Sequence, residues 1–177
     1  MKTYVVDGSN VFFSYSPNNV PSFSILLELL IQIKQRGDDF FCIFDANIEH
    51  KEKKKEPESL PVLLHLLKNY PKYFSKVTGG IRADDFILIY ADTQMAVVIS
   101  NDRFSEYLSK YTWLKNEEKL IKGNVLGNLV SLPHMSLVFP RSVKLLDFLS
   151  QQLQDLMMAK VDNTAQKSTE NAIELTE

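Results

Sequence analysis

The sequence predicts an α/β fold on a central, mainly parallel sheet. Three observations predict it. Short β-rich runs such as residues 40–44 are apolar throughout, helical patterns separate them, and an acid follows each early run closely. Unbroken apolar runs belong to strands buried on both faces, which is the habit of parallel sheets. The 177 residues, 45% hydrophobic and 24% charged, suit one domain with a substantial core. They are too apolar for a disordered chain.

The elements read as follows. Residues 4–6 form a first strand that stops at the turn pair Asp7-Gly8. Residues 22–36 pattern as a helix, with apolar positions at 23, 26, 27, 30 and 33 and Gly37 as a stop. Residues 40–44 are a second strand, and the polar, lysine-rich residues 47–58 a mobile loop. A helix over 60–67, a strand over 74–78 before Gly79-Gly80, a helix over 83–91 and a strand over 95–99 follow. Residues 102–110 are expected to be helical. Residues 120–132, with Gly123 and Gly127, read as short strands or a hairpin. A last helix over 141–158 carries a leucine stripe at 145, 146, 149, 153 and 156. The acidic tail 161–177 is expected to be disordered, leaving one domain over 1–160.

Charge and composition narrow the class. The formal net charge is −2, but residues 161–177 hold four acids against one base, leaving +1 on the rest. Eight bases against three acids fall between Lys51 and Arg82, which suits either a solvated loop or a polyanion partner. Asp7 cuts the N-terminal apolar run short, against a signal peptide. The segment 23–33 contains Glu28 and Gln32 and is too short to span a bilayer, so no membrane association is expected. The single cysteine, Cys42, excludes an internal disulfide and a multi-thiolate zinc site. A cytoplasmic protein is the expectation.

The acids carry the functional signal. In open α/β sheets ligands bind at the carboxyl ends of the strands. Asp7 follows the first strand, Asp45 the second, Asp84 and Asp85 the third, and Asp102 the fourth. Singly, each has an ordinary reading as a turn residue or as an acid in a helix's first turn. Together they would repel by a few kcal/mol per pair unless they share protons or bind a cation. With no His/Cys set present, oxygen ligands favour Mg²⁺ or Mn²⁺ over zinc. Such an ion supports phosphodiester hydrolysis. Glu106 lies four residues after Asp102, on the same face of the expected helix. Ser9 and Asn10 can hydrogen-bond a carboxylate, a water or a phosphate, or simply form an Asx or Ser turn.

The segments Val5-Val6-Asp7-Gly8-Ser9-Asn10-Val11, Arg82-Ala83-Asp84-Asp85-Phe86-Ile87 and Val97-Val98-Ile99-Ser100-Asn101-Asp102-Arg103-Phe104 resemble the NYN branch of PIN-like nucleases. The likeness is to the Regnase-type ribonuclease domain and its bacterial relatives, over roughly residues 1–135. It implies a PIN-like three-layer α/β/α sandwich and metal-dependent endonucleolytic cleavage of RNA, in single-stranded or loop regions. It assigns catalysis to Asp7, Asn10, Asp84, Asp85, Asp102 and Glu106, the last standing where the animal enzymes have Asp. The metal ligands it implies are Asp7, Asp102 and one of the Asp84/Asp85 pair, here assigned to Asp85. Ser9, Arg82, Ser100, Asn101, Arg103, Lys51, Lys53 and Lys54 are the expected RNA contacts. Arg103 has a second reading as a partner of Asp85 or Glu106. Tyr15, Tyr107 and Trp113 are candidate stacking platforms for bases, Trp113 better suited to the core. His50, His65 and His134 make no ligand pattern. One cysteine cannot build the Cys₃His finger of the animal proteins. PIN-like domains often dimerise, so a homodimer is compatible. The competing functions are a non-catalytic RNA- or protein-binding adaptor and a DNA or flap nuclease.

Overall fold

The computed structural model describes residues 1–15, 21–140 and 146–173. The elements run β1 (Thr3–Asp7), α1 (Gly8–Ser14), α2 (Phe23–Gln35), β2 (Asp39–Phe44), α3 (Ile48–Lys55), α4 (Leu60–Asn69), β3 (Phe74–Lys76), α5 (Ala83–Thr93), β4 (Val97–Ile99), β5 (Leu120–Ile121), β6 (Asn124–Leu126), β7 (Leu129–Leu132), β8 (Leu137–Pro140) and α6 (Leu146–Ile173). Five strands form one sheet in the order β3-β2-β1-β4-β5, and every pairing is parallel. Val5 of β1 stands beside Phe41 and Val98.

Successive strand residues point to opposite faces, so the apolar runs feed two cores. Tyr4, Val6, Cys42, Phe44 and Ile99 join the core under α2, α4 and α6. Val5, Ile43 and Val98 join the core under α5. This is the three-layer sandwich with a parallel centre that the sequence implied. A second, antiparallel sheet, β6-β7-β8, adds Val130, Leu132, Leu137 and Phe139 to the first core. No helix among the described residues is long and apolar enough to cross a membrane.

Four segments depart from the sequence reading. Asp7-Gly8 is not a turn, because β1 passes directly into α1. Gly8 and Ser9 are weak helix formers, but the Asp7 carboxylate accepts the Asn10 N–H at 3.0 Å and caps the helix. A Cβ on Gly8 would lie 2.5 Å from the Phe44 ring and 2.7 Å from Cys42 Sγ. Glycine is what lets α1 seat on β2. Gly8→Ala is expected to cost about 1–3 kcal/mol through overpacking. Urea denaturation checks this, and an unmoved midpoint would contradict the packing argument.

The lysine-rich segment 47–58 is not a loop. It forms α3 and a 3₁₀ turn over Pro57–Ser59. Lys and Glu are good helix formers, and Ile48 and Glu52, one turn apart, are the buried anchors. Residues 102–110 are not an α-helix. Phe104 is buried and takes the left-handed conformation (φ 46°), with only a 3₁₀ turn over Ser105–Tyr107 behind it. The Asp102 carboxylate accepts the Phe104 N–H at 2.7 Å and holds that bend. Finally, α6 continues to Ile173, beyond the helix over 141–158 that the sequence predicts, and residues 146–173 contain no Gly or Pro to stop it. The start of the expected last helix, 141–145, and the end of the tail, 174–177, lie outside the described residues.

Candidate active site

The parallel register sets Val6 beside Ile99. The residues that follow, Asp7 and Ser100, meet across the two strand ends. Ser100 Oγ donates to Asp7 Oδ2 at 2.9 Å, and the same oxygen accepts the Asp102 N–H at 3.1 Å. One fully buried hydroxyl thus ties the first acidic motif to the last. Asn10 makes a second tie. Its side-chain oxygen accepts from Asn101 N at 2.8 Å and from Ser14 Oγ at 2.9 Å. The Asn101 amide is in turn paired with the Gly123 backbone, donating to its carbonyl at 3.0 Å and accepting its N–H at 2.9 Å. Gly123 has no room for a side chain, because a Cβ there would lie 2.4 Å from Cζ of Tyr15.

The β2 end joins from the other side. Ser9 Oγ accepts the Asp45 N–H at 2.9 Å, which fixes the backbone after β2 against α1. Lys51 reaches back from α3 to Asp45 at 2.8 Å. Asp84, in the first turn of α5, is half-buried, whereas its neighbour Asp85 is exposed and accepts from the Tyr107 hydroxyl at 2.8 Å. Arg82 bonds Asp84 at 3.0 Å, bonds Glu106, and lies over the Tyr107 ring.

The electrostatics record how these acids sit together. Burial, first of all, pushes the Asp7 carboxyl up to about 7. The bonds from Asn10 and Ser100 pull it back, while the charges of Asp84 and Asp45 push it further up. Asp84 is raised by burial against the pull of Arg82, with Asp102 and Asp45 adding repulsion. Glu106 goes the other way, lowered by Arg82. Asp7, Asp45, Asp84 and Asp102 therefore share one field, and Asp85 and Glu106 stand outside it on Tyr107 and Arg82.

The donor set fits a hard divalent cation. All donors are oxygens, and a carboxylate that accepts one bond per oxygen still has lone pairs to offer. Among the described residues no group of three His, Cys, Asp or Glu could hold an ion by itself. A cation here would keep much of its water shell and take one or two carboxylates, which is the preference of Mg²⁺.

Of the expected RNA contacts, Ser9, Ser100 and Asn101 lie inside the hydrogen-bond frame, Lys51 and Arg82 lie at its edge on acids, and Arg103 is exposed beside Asp102. Arg103 pairs with neither Asp85 nor Glu106, whose partners are Tyr107 and Arg82. Lys53 and Lys54 are exposed on α3 and touch none of the acids. Tyr15 is fully buried, so it cannot stack on a base. Trp113 is half-buried and donates to Asp92 at 3.0 Å. His65 bonds Asn69 and Gln154 at the surface. Asp45, to which the resemblance gives no role, adds repulsion at Asp7 and Asp84; the sequence singled it out only as an acid that follows a strand.

No curated protein matches the chain significantly. Among solved structures, the nuclear proteinaceous RNase P 2 (PRORP2) of A. thaliana superposes with a TM-score of 0.60 at 15% identity, covering 81% of this chain and 31% of that one. A second structure of Arabidopsis thaliana nuclear protein-only RNase P 2 gives 0.57 at 16% identity, covering 75% and 29%. The chain therefore spans under a third of those chains' length, and the likeness shows the fold. The family model for the Zc3h12a-like ribonuclease NYN domain matches residues 1–133, which takes in every acid of the shared field. The chain belongs to the Zc3h12a-like ribonuclease NYN domain family.

Proposed function

We propose that this protein is an endoribonuclease that hydrolyses RNA at the carboxylates of Asp7, Asp84 and Asp102, with Mg²⁺ or Mn²⁺ as cofactor. The observation that carries the reading is the gathering of acids from three strand ends and the first turn of α5, tied by Ser9 and Ser100, in a chain of a ribonuclease domain family. A buried Asp7 beside two half-buried acids and an exposed Asp102 is costly unless protons or a cation relieve it. Geometry favours Asp84 over Asp85 as the member of the pair that faces the ion, because Asp85 is turned onto Tyr107.

The ion supplies activation of a water and neutralisation of charge on the phosphoryl oxygens. The chain's residues do the rest. Ser100 and the Asn10 N–H hold Asp7 in one orientation. Asn101 and Ser14 hold Asn10, whose amide nitrogen is left to position a phosphate or the attacking water. Arg82, exposed and paired with Asp84 and Glu106, can swing to a phosphate oxygen as RNA binds. Lys51, Lys53, Lys54 and Arg103 supply backbone phosphate contacts, and unpaired or loop RNA is the substrate class.

Labelled RNA and DNA oligonucleotides with Mg²⁺, Mn²⁺ or EDTA test this. RNA is expected to be cut internally, and EDTA to stop it. RNA bound but uncut, with binding indifferent to EDTA, would instead indicate an adaptor. Preferential cutting of DNA would indicate a DNA nuclease.

A further inference from the structure

The acidic centre raises a problem that the contacts above leave open. RNA is a polyanion, and four carboxylates repel it. Most basic side chains around the site are committed to acids: Lys51 to Asp45, Lys76 to Glu49, and Arg82 to Asp84 and Glu106. Beside the edge strand β5 the balance differs. A cavity of about 230 Å³ is lined by Arg103, Lys115 and Lys122 over an apolar floor of Leu114 and Leu120. Among the described residues none of these three cations forms an ion pair or a side-chain hydrogen bond. The acid of the lining, Glu117, lies 3.2 Å from His134.

Two of the three cations are built onto the frame of the acidic centre. Arg103 follows Asp102 directly. Lys122 precedes Gly123, whose backbone is clamped by the Asn101 amide at 2.9 and 3.0 Å. Consecutive Cα atoms are about 3.8 Å apart, so Arg103 stands one residue step from Asp102, and Lys122 one step from the glycine that the Asn101 amide clamps. Lys115 joins the lining from the 3₁₀ turn over Thr112–Lys115.

We propose that this cavity is a phosphate-binding subsite for the RNA strand, in which Arg103, Lys115 and Lys122 grip a backbone phosphate neighbouring the scissile one. It rests on the proposed ribonuclease reading. Guanidinium and two ammonium groups suit a phosphate, and the apolar floor suits the attached sugar. The subsite sets register on the strand without reading sequence. It also offsets the repulsion that the acids exert on an incoming strand.

The test reads binding apart from cleavage. A fluorescent single-stranded RNA of about 12 nucleotides is titrated in EDTA, by anisotropy, against wild type and Lys115→Ala/Lys122→Ala. The double variant is expected to bind about tenfold more weakly at about 0.1 M salt, with a slope of log affinity against log salt smaller by about 0.7–1. Lys115→Arg/Lys122→Arg should retain both. A scan of single neutral methylphosphonate linkages should find one position that weakens binding to wild type but not to the double variant. Equal affinity and salt slope, or a methylphosphonate effect identical in both proteins, would overturn the subsite, as would a wild type that binds no RNA. Should the double variant unfold, Lys122→Ala alone carries the same comparison. Lysine-dependent binding in a protein that cuts no RNA with Mn²⁺ would sink the ribonuclease reading and keep the subsite.

Discussion

Asp7→Asn is expected to reduce RNA cleavage at least 100-fold, or roughly two powers of ten at about 1.4 kcal/mol each, because the ion's charge stabilisation is worth several kcal/mol. The substitution keeps the shape of the side chain, and its oxygen can still accept the Asn10 N–H that caps α1. It removes a charge that burial disfavours, so the fold should survive. Mn²⁺ should raise the Tm of wild type more than that of the variant, since a ligand that binds only the native state stabilises it. Wild-type, metal-dependent cleavage by a clean preparation of the variant would remove Asp7 from the mechanism. A variant that no longer folds would show instead that the carboxylate is structural.

The second large effect lies away from the acids. Glu52 of α3 is fully buried, and neither of its carboxyl oxygens has a hydrogen-bond partner among the described residues. The Ser59 hydroxyl, which would favour the charged form, is directed at the Glu56 carbonyl at 2.7 Å. Burial pushes Glu52 up to about 8, with the charges of Glu56 and Glu49 adding repulsion. The folded protein therefore holds a proton that the unfolded chain releases near the ordinary glutamate range. Stability falls as pH rises from that range to about 8 and levels off above it. Each pKa unit is worth about 1.4 kcal/mol, so the loss is on the order of a few kcal/mol. Glu52→Gln cannot ionise. Its urea midpoint should lie close to that of wild type near pH 5 and clearly above it near pH 8.5. A difference that does not change with pH would show that Glu52 is charged in the folded state.

The strands and their acids were legible because both signals are local. Apolar runs at residues 40–44 and 97–99 mark buried strands, and an acid just beyond a parallel strand lands on the common edge whatever the helices do. Three features were not legible. α1 depends on Gly8 fitting against Phe44 and Cys42, a contact between distant segments that overrides weak helix propensity. α3 hides because its burial falls on only two residues, one of them an acid. The helix expected after Asp102 fails at Phe104, whose burial demands a left-handed backbone that its residue type disfavours. That failure removes the helical pairing of Asp102 with Glu106 and sends Glu106 to Arg82 instead. The choice between Asp84 and Asp85 depends on Tyr107, which no pattern in the neighbouring sequence announces.

The position of β1 has a bearing on how the protein is born. It is translated well before β4 (Val97–Ile99), yet it sits mid-sheet between β2 and β4. At about 5–20 residues per second, its β4 side stays bare for roughly 5–20 s while the intervening chain emerges from the ribosome. Over that interval the nascent polypeptide needs protection from mispairing. On the proposed function, the same delay keeps it harmless beside the message that encodes it until most of the domain has been made.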